Sequence, residues 1–131
     1  MDSAKRAGRQ PSGGSEEHAV LESIRSGYSH RDAAQLAGAY ADDAEYIIVN
    51  RNNPPKKRLV LRGREAIRRM FEDLCAREMT HQLAQTMVGE DSIAFSTLCQ
   101  YPDGCQVVAL NMATLKDGLI VREFSVDCWD E

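Results

Sequence analysis

From Thr80 to Trp129 the sequence alternates apolar and polar residues in four runs, 80–88, 92–101, 105–116 and 119–129. Only the short segments 89–91, 102–104 and 116–118 separate them, and these are rich in Gly, Asp and Pro. Alternation puts successive side chains on opposite faces of a strand, and tight turns of this composition join antiparallel neighbours. Four consecutive strands therefore predict an antiparallel meander. One of its faces needs apolar cover from elsewhere in the chain.

The first half of the chain supplies that cover. Ser15 with Glu16 and Glu17 marks a helix start with acids in the first turn, and Val20, Leu21, Ile24 and Tyr28 recur at helical spacing. After a polar break at Ser29-His30-Arg31, Asp32 is placed to cap a second, smaller helix with Ala33, Leu36, Ala37 and Tyr40 on one face, ending near Asp42 and Asp43. Tyr46-Ile47-Ile48-Val49 is apolar on both faces and β-branched, as a strand covered on both sides requires, and the Asn-Asn-Pro-Pro run at 52–55 breaks it. Leu59-Val60-Leu61 reads as a short strand. Gly63 then precedes a strongly amphipathic helix carrying Ala66, Ile67, Met70, Phe71, Leu74 and Cys75. Residues 1–15, with Gly8, Pro11, Gly13 and Gly14 among Ser, Lys and Arg, are too polar to bury a core and read as a disordered tail. Residues 16–131 then form one domain, the number that 131 residues and a single core support.

A formal net charge of −4 gives no overall electrostatic reason to approach nucleic acid or an anionic membrane. No apolar run approaches membrane-spanning length and the N-terminus lacks a signal-peptide core, so the expected setting is cytoplasmic. Cys75, Cys99, Cys105 and Cys128 form no paired motif and are expected as free thiols. A Cys99–Cys105 bridge is disfavoured because the turn between them pairs each with a different residue. His18, His30 and His81 have no ligand spacing with each other or with cysteine, so no metal is implied.

The stretch Ala-Tyr-Ala-Asp-Asp-Ala-Glu-Tyr-Ile-Ile-Val at 39–49, with the element order around it, resembles the nuclear-transport-factor-2-like superfamily, which includes ketosteroid isomerases, SnoaL-like polyketide cyclases and scytalone dehydratases. The resemblance implies an α+β fold. Three helices would pack in the concave face of a strongly curved, mixed but mostly antiparallel sheet, a cystatin-like cone. It also implies an apolar cavity open at one end, a homodimer through the outer sheet face, and no cofactor.

Proton transfer by the isomerases of that superfamily needs a basic carboxylate and donors for an enolate. The resemblance aligns their tyrosine with Ile24, their general base with Ile48 and their protonated aspartate with Met112, so the usual isomerase activity is not expected. His81, first in the strand after the third helix, stands where dehydratase-type members carry a catalytic histidine, and the alternative is that it caps or packs. Tyr28 and Asp32 resemble a dehydratase tyrosine–aspartate pair, although Asp32 also suits a helix cap. In the last strand, Glu123, Ser125 and Asp127 share one face and Arg122, Phe124, Val126 and Cys128 the other. Asp127 becomes a candidate base if the polar set faces the cavity, and lies outside it if the apolar set does. The resemblance further implies that Ile24, Tyr46, Ile48, Leu110 and Met112 line the pocket, the alternative for the last four being ordinary core packing. Asn111, an amide in an apolar strand, would bind ligand polar atoms or bridge the dimer.

Half of the Lys and Arg residues, Arg51, Lys56, Lys57, Arg58, Arg62, Arg64, Arg68 and Arg69, crowd one segment opposed only by Glu65. They form either a solvated face or a basic rim that steers an anionic ligand. Three functions follow: a small-molecule-binding domain taking an apolar or amphipathic ligand, a cofactor-independent lyase or isomerase with His81 as acid–base, and a dimeric protein-interaction module.

Overall fold

The helical cover begins in the computed structural model at α1 (Ser12–Ser29), within the described residues 12–130. α1 thus starts earlier than the sequence reading places it, because a helix held by the buried face of Val20, Leu21, Ile24 and Tyr28 propagates into the weak formers before it. Residues 1–11, most of the expected tail, lie outside the described residues, as does Glu131. There follow α2 (Ala33–Ala37), β1 (Tyr40–Val49), a 3-10 turn at Pro55–Lys57, β2 (Leu59–Arg62), α3 (Arg64–Ala76), β3 (Thr80–Gly89), β4 (Ser92–Gln100), β5 (Gln106–Lys116) and β6 (Leu119–Trp129).

α2 corrects the expected second helix. Asp32 does cap it, accepting from the Gln35 backbone N–H at 3.0 Å, but the helix ends at Ala37. The Ala39 carbonyl already accepts from the Ile120 N–H at 2.9 Å, which commits the chain to pairing with β6. Tyr40 therefore belongs to a strand. Asp42 and Asp43 lie where the register jumps from Tyr40↔Ile120 to Glu45↔Arg122, so they bulge outward.

The six strands form one sheet in the order β2-β1-β6-β5-β4-β3, antiparallel throughout except for the parallel β1–β6 pair. Further register shifts between Leu83 and Gln85 and between Thr114 and Leu115 bend the strands. α1 packs on β3 at one edge of the sheet, α3 packs on β1 and β2 at the other, and α2 bridges the two helices. The sheet thereby wraps around the helices. Gly27 lets α1 and α2 meet, since a Cβ there would sit 2.7 Å from Leu36 Cγ.

Ile24, Leu36, Tyr40, Ile67, Phe71 and Ile120 form the enclosed core at the closed end of the cone. The other end stays open between α3, the 50–53 loop and the β4–β5 turn. Among the described residues, no helix is long and apolar enough to cross a membrane.

Candidate functional site

The concave face of the sheet alternates as the strand period requires. On β4 it presents Phe95, Thr97 and Cys99, on β5 Ala109 and Asn111, and on β6 Glu123, Ser125 and Asp127. The polar set of β6 therefore faces inward. The cross-strand register aligns Thr97, Ala109 and Asp127 in one row and Phe95, Asn111 and Ser125 in the next. Ala109 is small, which leaves space above the sheet beside Asp127. Tyr46 and Ile48 of β1, Phe71 and Leu74 of α3, and Tyr28 of α1 close that space into a cavity of about 400 Å³.

Asp127 is half-buried in the cavity wall. Burial pushes its carboxyl above the usual aspartate range, and a hydrogen bond from Asn50 partly opposes the shift. Asn50 can donate because its own amide oxygen is occupied by the backbone N–H groups of Asn52 and Asn53, both at 2.9 Å. The 50–53 loop is thus folded around one side chain that also orients Asp127. Among the described residues, Oδ1 of Asp127 has no hydrogen-bond partner.

Next along β6, Glu123 is fully buried. Tyr40 donates its hydroxyl to Oε1 at 2.6 Å, while Oε2 has no partner among the described residues. Burial raises the carboxyl to about 7 despite the hydrogen bonding of Tyr40 and Tyr46, and burial likewise pushes both tyrosines well above the ordinary phenol range. The Tyr46 hydroxyl also hydrogen-bonds Ser125, so a polar chain runs from Glu123 to the cavity wall.

His81 lies behind that wall. It is buried, with Nδ1 3.1 Å from Cys99 Sγ and its ring 5.6 Å from that of Tyr28. Tyr28 and Cys99 line the cavity and His81 does not, so the imidazole meets the cavity only through them. Burial and then the Arg31 charge lower its pKa, favouring neutral imidazole.

Tyr28, Tyr46, Ile48, Asn111 and Asp127 are brought together around one space, whereas Leu110 and Met112 are not. These two are 63% and 66% exposed on the outer face, because β5 turns Asn111 inward and its neighbours must point the other way. The expectation that they line the pocket is corrected accordingly. Ile24 is enclosed in the core beyond the cavity wall, and Asp32 is an exposed cap. None of the eight basic residues of the 51–69 segment lines the cavity. Arg62 pairs with Glu45, Arg64 with Asp42 at 2.9 Å, and Arg68 with Glu65 and Glu72, while Arg58 lies over the Phe124 ring at 5.9 Å. The basic rim expected at the pocket mouth is therefore corrected: three of the eight residues are ion-paired away from the cavity and none reaches its lining.

Sequence reasoning missed Asn50, Tyr40 and Glu123. The alternation of β6 groups Glu123 with Asp127, but the sequence around the tyrosine that faces it has helical spacing. All four cysteines are free. Among the described residues, no group of three or more His, Cys, Asp or Glu side chains could hold a metal ion.

Comparison with known proteins agrees with this fold. No curated protein matches the chain, but many solved structures do. An NTF2-like protein of unknown function from Mesorhizobium loti superimposes with a TM-score of 0.73 at 19% identity, covering 87% of this chain and 92% of its own. A protein with a cystatin-like fold from Silicibacter pomeroyi gives 0.68 at 15% identity, covering 85% and 74%. An LEH-like epoxide hydrolase of M. tuberculosis gives 0.64 at 12% identity, covering 88% and 84%. At these identities the likeness is one of fold. The family model of the SnoaL-like domain matches residues 20–123, from α1 to the buried glutamate of β6, and the chain belongs to that family.

Proposed function

We propose that this SnoaL-like domain binds a small, mostly apolar molecule in its cavity, with Asp127 as the polar anchor. The carrying observation is a half-buried carboxyl in the lining of the cavity, set among aromatic and aliphatic walls. A carboxyl in such surroundings is costly, and a ligand with one hydrogen-bond donor on an apolar body offsets that cost. An anionic ligand is disfavoured, because the basic segment does not reach the lining. The four free thiols support a reducing, cytoplasmic setting.

Calorimetric titration with 2-naphthylmethanol tests this reading. Wild type is expected to bind, and Asp127→Leu to weaken binding about tenfold or more, the worth of one hydrogen bond to a charged acceptor. Absent binding of both this alcohol and its amine counterpart, or equal binding of the alcohol by the variant, refutes it.

One observation favours a second reading, a cofactor-independent lyase or isomerase. Asp127 has the raised basicity that proton abstraction requires and lies beside Asn111 and Ser125, which could donate to a developing oxyanion. Asp127 then replaces His81 as acid–base. Turnover of a hydroxy-carbonyl panel lost in Asp127→Asn and kept in His81→Asn supports this reading, and the reverse pattern returns the role to the histidine.

The outer sheet face supports a homodimer. Met87, Met112 and Phe124 lie in one cross-strand row through Ala94, Leu110 and Val126 pair in the next, and Val108 lies in the third. Met87 is 74% exposed, and an apolar surface spread over several strands is characteristic of an interface.

A further inference from the structure

We infer that the cavity selects a protonated amine carried on an aromatic or aliphatic body over its neutral and anionic counterparts. This rests on the reading of the cavity as a ligand site and names the class of ligand.

Charge is the first argument. The lining contains two aspartates and one arginine, Asp73, Asp127 and Arg77. Arg77 is already engaged, donating to Asp73 at 2.6 Å and to the Tyr101 hydroxyl at 3.3 Å, so this pair is internally compensated at the mouth. Among the described residues Asp127 forms no ion pair, and its hydrogen-bond partner is the neutral amide of Asn50. The fully buried Glu123 stands behind the same wall and adds negative potential whenever it ionises. Apolar walls on several sides reduce the screening of such a field relative to bulk water.

The walls give the second argument. Tyr28, Tyr46, Phe71, Tyr101 and Trp129 all line the cavity, five of the eight aromatic residues of the chain. Aromatic faces carry negative quadrupole density and attract a cation that has shed part of its water. A carboxylate ligand would meet Asp127 and these faces with the wrong sign. A neutral alcohol would gain the hydrogen bond without the charge, and an ammonium gains both.

Three near-isosteric probes, 2-naphthylmethylamine, 2-naphthylmethanol and 2-naphthoate, titrated calorimetrically at pH 7 and low salt, test the inference. The expected order is amine tightest by about tenfold or more, then alcohol, with naphthoate weakest, as a charge-assisted bond outweighs a neutral one. Asp127→Asn is expected to remove about tenfold or more from the amine and less than about threefold from the alcohol, because the amide retains an acceptor. Alcohol or naphthoate binding as tightly as the amine overturns the charge selection and leaves the cavity reading standing. Failure of all three probes overturns both.

Discussion

Replacing Glu123 with glutamine should flatten the pH dependence of stability. The Glu123 carboxyl is fully buried and titrates at about 7 in the folded protein, against 4.5 for an ordinary glutamate. Below pH 4.5 the side chain is protonated in both states and costs the fold nothing electrostatically. Between 4.5 and 7 the unfolded chain releases its proton while the folded chain keeps it, so folding stability falls as pH rises. Above 7 both states are ionised and the full penalty, about 3 kcal/mol from a displacement of roughly 2.5 pH units, is present. Tyr40 and Tyr46, the titratable neighbours, are held well above the ordinary phenol range by burial and stay neutral throughout. Glutamine keeps the shape and an acceptor for Tyr40, and any cost of its unmatched amide N–H groups is independent of pH, so it drops out of a comparison of slopes. Urea unfolding followed by circular dichroism at pH 4.5, 6, 7 and 8 gives both curves. The wild-type midpoint should fall relative to the variant by on the order of 1–3 M over this range, for a urea dependence of about 1–3 kcal/mol per M. Parallel curves for the two proteins would refute the buried-carboxyl argument.

Other consequences are accessible to simpler assays. Gly27→Ala should cost about 1–3 kcal/mol of stability, since the added methyl meets Leu36 Cγ at 2.7 Å where α1 crosses α2, and an unchanged unfolding midpoint would contradict that packing. The His81 imidazole should titrate below 6.5 by NMR because burial and the nearby Arg31 oppose its charge, and a midpoint at or above 6.5 would remove it from the buried site. Leu110→Glu with Met112→Lys should convert a dimer to a monomer in light scattering without loss of fold, whereas a wild type already monomeric at tens of micromolar sinks the dimer proposal.

The element order and the four long strands were legible because alternation at period two survives any tertiary detail, and β6 announced its polar face through Glu123, Ser125 and Asp127. The polarity of β5 was legible in principle too: Asn111 sits in register with Ser125, so Leu110 and Met112 had to point outward. Aligning them with a family motif one residue out of phase reversed the faces, the error to which a period of two is most exposed. The end of α2 was hidden for another reason. Alanine, tyrosine and aspartate at 39–43 suit a helix locally, and only the parallel partner β6, distant in sequence, draws Tyr40 into the sheet beside Glu123. Asn50 was equally hidden, since its role depends on a loop that folds back on its side chain.

A crystal structure of the protein with 2-naphthylmethylamine tests the central claim most directly. The account predicts the naphthyl ring between Phe71 and the concave sheet, with its nitrogen within hydrogen-bonding distance of Asp127. An empty cavity, or a ligand seated only on the outer face around Leu110 and Met112, would contradict it.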